Sequence, residues 1–163
     1  MNKKNGFTLI ELMVAITVSM IMMTGLGLSI NNYYNVEKIN QTNGDLVSLI
    51  SLARNLAVTN QRPAGFTEDL GRVVVNVNSN GLVEAFAYGN VSGIGGSYFS
   101  KDIADNRVST TISGDLRFVA GTGKLVDNFG NLLPSSTEIG IVIASEDVGE
   151  TRQVIITSLG TIK

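Results

Sequence analysis

Apolar residues crowd together at the start of this chain and alternate with polar ones toward its end. From Phe7 to Ile30 the only ionisable side chain is Glu11. That run exceeds the roughly 20 residues a helix needs to cross a bilayer. A polar stretch follows, Asn31-Asn32-Tyr33-Tyr34-Asn35. Beyond it Leu46, Leu49, Ile50, Ala53, Leu56 and Ala57 recur at steps of three and four, the pattern of an amphipathic helix. Gly44 marks a weak point, and Arg62-Pro63 is expected to end the helix. The pattern therefore predicts one continuous or slightly bent helix from Phe7 to about Asn60, its outer half packed on a sheet.

At Arg72 the period changes to two. Val73, Val75 and Val77 alternate, Asn78-Ser79-Asn80-Gly81 is a turn signal, and Leu82 to Tyr88 reads as the return strand. Gly89 to Gly96 is expected to be a glycine-rich loop. Further strands are expected at Arg107–Ser113, Leu116–Ala120, Glu138–Ser145 and Thr151–Ser158, the last two joined as a hairpin across Glu146–Glu150. One long helix followed only by antiparallel strands is an α+β arrangement.

Composition narrows the chemistry. Hydrophobic residues make up 44% of the 163, and much of that excess precedes Asn31. There is no cysteine, hence no disulfide, thiolate nucleophile or Cys-based metal site. There is no histidine, so the usual general base and the commonest transition-metal ligand are missing. Ser-His-Asp and Cys-His catalysis are excluded, and no enzyme and no cofactor is expected. A Ser-Lys arrangement or an oxygen-ligand Ca²⁺ site remains formally open. Asp127-Asn128-Phe129-Gly130-Asn131 lacks the carboxylates of a calcium-binding loop and reads as a turn. Gly93-Ile94-Gly95-Gly96 lacks the spacing of a dinucleotide fingerprint and reads as a flexible loop. Twelve cationic side chains face fourteen acidic ones, and without Lys3 and Lys4 the balance is ten against fourteen. That balance gives no basic footprint for nucleic acid.

Lys3 and Lys4 precede the apolar run and no basic residue follows until Lys38. The positive-inside rule then puts the N-terminus in the cytoplasm and the bulk of the chain outside. A cleaved secretory signal has a shorter apolar core and a small-residue cleavage site after it. A plain membrane anchor fits the length but leaves Glu11 unexplained, since a carboxylate at membrane depth costs a few kcal/mol. Locally, Thr8-Leu9-Ile10-Glu11 matches the capping box, in which Glu satisfies an exposed N–H at a helix start. Gly25 and Gly27 fit either close helix packing in the membrane or a stretch able to melt.

The residues Lys3-Lys4-Asn5-Gly6-Phe7-Thr8-Leu9-Ile10-Glu11-Leu12 resemble the class III signal of type IV pilins and type II secretion pseudopilins. That resemblance implies a leader, residues 1–6, cut by a prepilin peptidase between Gly6 and Phe7, with methylation of the new Phe7 amine. It implies a transmembrane and filament-core helix over 7–30 and a globular pilin domain over 31–163. It further implies that Glu11 neutralises the N-terminus of a neighbouring subunit as the helix leaves the inner membrane for a filament. The partners so implied are other pilins, the peptidase, an inner-membrane assembly platform and, before assembly, membrane lipid.

Three later stretches narrow the resemblance to GspH/FimT-type minor pilins and pseudopilins. They are Leu52-Ala53-Arg54-Asn55-Leu56-Ala57, the segment Leu116 to Gly123, and Gln153 to Gly160. Some members of that group are held to bind DNA through a Gly-Arg-x-Arg end. This chain ends Gly160-Thr161-Ile162-Lys163, and losing an Arg removes a phosphate contact, so DNA binding is not carried over. The sequence thus favours a structural filament subunit, minor or major. A DNA-uptake pilin at a filament tip is the alternative, and a membrane-anchored enzyme a remote third.

Overall fold

A computed structural model describes residues 7–90, 93–103, 108–112, 115–145 and 149–163. Among the described residues one helix, α1 (Leu9–Val58), precedes seven strands. They are β1 (Leu70–Val77), β2 (Leu82–Gly89), β3 (Ile94–Asp102), β4 (Val108–Ile112), β5 (Leu116–Val119), β6 (Glu138–Ser145) and β7 (Thr151–Thr157). The architecture is α+β, as the change of period predicts, but the strands form two sheets where a single one was expected. A four-stranded sheet has the order β3-β2-β1-β5 and a three-stranded one the order β4-β6-β7, every pair antiparallel.

At 50 residues and about 1.5 Å per residue, α1 is about 75 Å long. Only its outer half is gripped by the sheets. Ile39, Thr42, Leu46, Leu49, Ile50, Ala53 and Ala57 form one buried stripe at three- and four-residue steps. Leu56 stands at its margin, half-buried. The helix runs unbroken through Gly44, because the packed residues on either side hold it where intrinsic propensity is poor.

Alternation in the strands supplies the other side of the core. Val73 pairs with both Ala87 and Phe118, and Val75 with both Ala85 and Leu116, so all six face α1 together. In the second sheet Ile141, Ile143, Val154 and Ile156 do the same. Phe118 is the largest fully buried side chain. The sheets meet where Thr110 of β4, itself buried, donates its N–H to the Ser79 carbonyl at 3.3 Å and its hydroxyl to the Asn78 carbonyl.

The helix ends at Val58, close to the expected Asn60 and short of Arg62-Pro63, because Asn60 takes a left-handed conformation (φ 57°). The Asn60 N–H bonds the Ala57 carbonyl and the Gln61 N–H the Leu56 carbonyl, a closed C-terminal cap in which Asn stands where Gly is usual. The expected glycine-rich loop from Gly89 to Gly96 gives way at Ile94 to β3, a strand that was not among those expected. Its glycines serve close approach: a Cβ on Gly95 would overlap the Phe66 ring, and one on Gly96 would lie 2.8 Å from Pro63 Cγ. The 63–66 segment lies directly over the strand, which is why no side chains stand there.

The other expected strands are present; Arg107 and Ser113, the expected ends of β4, and residues 146–148 of the expected hairpin turn lie outside the described residues. β6 spans the expected residues, and β7 and β5 each end one residue early. The β6–β7 hairpin closes through Ser145 N–H to the Glu150 carbonyl and Gly149 N–H to the Ser145 carbonyl, both 3.1 Å. The 127–131 segment is a turn. Asp127 Oδ1 accepts the N–H of Phe129 (2.8 Å) and of Asn131 (2.9 Å), and Oδ2 accepts the Asn131 side-chain amide (3.2 Å). These bonds, those from Asn131 foremost, hold the Asp127 carboxyl below its ordinary pKa.

The three stretches behind the narrower resemblance fold onto one another around Arg54. The Gly121 N–H donates to the Ala57 carbonyl at 2.8 Å, and Arg54 Nη2 reaches the Leu159 carbonyl at 3.5 Å. Gly160, at φ 77°, leaves no room for a side chain: a Cβ there would overlap the Gly123 carbonyl and lie 2.6 Å from Arg54 Nε.

Two outcomes follow from this packing. Gly160→Ala combines a left-handed backbone with two collisions and should destabilise the fold by about 1–3 kcal/mol, read as a lower urea midpoint. A midpoint equal to wild type would show that the Arg54 contact yields freely. A carboxyl whose folded pKa is depressed contributes stability above its unfolded value, about 3.9, and loses it as pH falls through the lower folded value. Amide-exchange protection at Phe129 and Asn131 should therefore hold at pH 5 and vanish in that acid window. In Asp127→Asn the protection should show no such pH dependence.

Candidate functional site at the helix start

Thr8 is the N-cap of α1, with extended backbone (φ −75°, ψ 151°). Its hydroxyl oxygen accepts the Glu11 N–H at 3.3 Å, and its own N–H donates to Glu11 Oε2 at 2.9 Å. The box is closed on both sides, so the local motif read from Thr8 and Glu11 is present as geometry. The Thr8 hydroxyl also donates to Glu11 Oε2, again at 2.9 Å. Both donors therefore converge on one carboxylate oxygen, and among the described residues no hydrogen bond is made to Oε1. Glu11 also sits in the first turn, where the positive end of the helix dipole favours a negative charge.

Phe7 lies one residue outside the helix and is 87% exposed. Glu11 shares a shallow apolar groove with Phe7, Ile10, Val14, Ala15 and Val18, one face of the first turns. A single charge is thus set within an apolar stripe. Gly6, the other residue expected at a cleavage site, lies outside the described residues.

Residues 7–24 are all exposed, and no part of the sheets covers them. Their hydroxyls are satisfied by the helix itself. Thr17 donates to the Met13 carbonyl (2.6 Å), Ser19 to Ala15 (2.8 Å) and Thr24 to Met20 (2.9 Å). Such back-bonding hides hydroxyls that water would otherwise have to solvate. Sequence inspection missed these three residues, although a hydroxyl inside an apolar helical run, with a carbonyl four residues back, is a readable signal. Among the described residues no helix is long and apolar enough to cross a membrane. The side chains of residues 25–29, within the apolar run, lie outside that description.

At the other end of the chain Lys163 Nζ pairs with Glu138 Oε1 at 3.4 Å, so the terminal cation already has an anion. Among the described residues no group of His, Cys, Asp or Glu is placed to hold a metal ion.

Against this geometry, residues 1–27 match the prokaryotic N-terminal methylation motif. No curated protein and no solved structure matches the chain. The motif supports a type IV pilin-like precursor, and an N-terminal helix packed on antiparallel sheet is consistent with a pilin fold.

Removing the cap tests the geometry alone. Thr8→Val should weaken the helix start by about 1 kcal/mol, making the Glu11 and Leu12 amides of the micelle-bound chain exchange about fivefold faster. Thr8→Ser should restore wild-type exchange. Unchanged exchange in Thr8→Val would mean that the box contributes nothing.

Proposed function

We propose that this chain is the precursor of a filament subunit, a minor pilin or pseudopilin of a type IV pilus or type II secretion filament, of the GspH/FimT kind. A prepilin peptidase cuts between Gly6 and Phe7 and methylates the amine so released. Residues 7–30 hold the subunit in the inner membrane with the sheets outside the cytoplasm. An assembly platform then passes the helix into the core of a filament among other pilins.

The observation that carries this proposal is the half-occupied Glu11 carboxylate in an otherwise apolar, uncovered helix, within a matched N-terminal methylation motif. A charge moved out of water needs a partner, and breaking a buried pair costs about 3–5 kcal/mol. Thr8 supplies hydrogen bonds but no charge. Cleavage supplies the charge, because it turns the Phe7 nitrogen into an amine that becomes a cation. Glu11 Oε1, which takes no hydrogen bond from the described residues, is the oxygen left for the cation of a neighbouring subunit. The internally bonded hydroxyls of Thr17, Ser19 and Thr24 suit both the lipid before assembly and the filament core after it.

Glu11→Val should still be cleaved and membrane-bound yet be at least tenfold depleted from sheared filaments. Gly6 replacement should instead leave an uncut precursor near 17.3 kDa on a gel. Incorporation of Glu11→Val at wild-type level would remove the pairing role and leave the capping role alone.

A further inference from the structure

Arg72 on β1 carries its guanidinium over the Tyr88 ring of β2, 5.1 Å from the centroid. It opens on a hollow of about 360 Å³ whose described lining residues, Gly71, Gly89, Gly93, Gly130 and Asn90 among them, include no carboxylate. That volume falls within the range of small-ligand sites, roughly 300–1,000 Å³.

Other arginines of the fold have oxygen partners. Arg62 pairs with Asp69 at 2.6 Å and Arg152 with Glu150 at 3.2 Å. Arg117, on the same sheet face as Arg72, pairs with Asp115 at 3.3 Å and donates to the Asn128 carbonyl at 3.0 Å. Arg72 makes no ion pair or hydrogen bond among the described residues; its Nε is buried without a partner, as are those of Arg54 and Arg117, but unlike theirs its Nη groups have no oxygen partner either. The carboxylate of Glu68 stands against Gly89 but forms no ion pair with Arg72. A partly buried guanidinium with no counter-charge is unfavourable until something supplies one.

The guanidinium lies over the face of the Tyr88 ring, and its Nη1 lies 3.9 Å from where a Cβ on Gly130, another residue of the hollow, would stand. The guanidinium fork matches two oxygens of a carboxylate or phosphate group. The glycines leave space for it, and Asn90 adds a side-chain amide at the rim.

We propose that the hollow is an oxyanion site, in which one carboxylate or phosphate group is held bidentately by Arg72. The group is either a free small anion or an acidic side chain of a second copy of this chain. The site does not depend on how the helix start is used.

Sodium acetate and inorganic phosphate are the probes. Each is titrated into the full chain in detergent micelles, with sodium chloride holding ionic strength constant, while the Arg72 Nε–H and the Gly71 and Asn90 amides are followed by NMR. Saturable shifts with either anion, weakened at least tenfold in Arg72→Gln, are expected. Arg72→Lys, which keeps the charge but not the fork, should also bind at least fivefold more weakly, and it serves if Arg72→Gln does not fold. Shifts that appear on raising protein concentration without added anion identify the second copy as the source. Shifts that need the added anion identify a free one. No saturable shift with acetate, phosphate or protein concentration would overturn the proposal, as would equal shifts in the Arg72 variants.

Discussion

A carboxylate placed among apolar side chains must be compensated wherever the helix goes, and the rest of this structure is organised around that requirement. In the single chain, Thr8 meets part of it with two hydrogen bonds to one oxygen of Glu11. The helix dipole adds a fraction of a charge at the same place. Neither neutralises a full negative charge in a medium without water. The unsatisfied remainder makes the first turn of α1 a place where a cation is wanted.

The rest of the fold is built to present that turn. Seven strands grip only the outer half of α1, through a stripe from Ile39 to Ala57, and leave residues 7–24 standing free. Packing of this kind lets the sheets stabilise the part of the helix they hold while its other end stays uncovered by them. The closed cap at Asn60 and the glycines around Arg54 fix the far end of the helix firmly to both sheets. The turns that face outward are braced locally, as at Asp127, and do not draw on the core.

Much of this was legible in the residues, for identifiable reasons. Glu138 to Ser145 could be read because alternate residues are buried, and Val73 to Val77 because its valines favour a strand, although Val74 is buried on the other face as well. β3 was not read as a strand at all. Gly95 and Gly96 carry no side chains to alternate, and the reason for them, Phe66 and Pro63 lying overhead, comes from a distant part of the chain. The helix stop was read to within about two residues, although what stops it, Asn60 in a left-handed cap, was not. At the helix start, Thr8 and Glu11 could be paired from spacing alone, because a capping box is local. Which carboxylate oxygen is left open could not, and neither could the want of a counter-charge at Arg72. That depends on three strands and a loop meeting at one hollow.

The central claim is that the chain acquires at Phe7 the cation that Glu11 lacks. Mass spectrometry of the N-terminus of the native protein tests it most directly. A chain beginning at N-methylated Phe7 is the predicted result. A mature chain that still begins at Met1 would contradict it, because Glu11 would then have no new cation to meet.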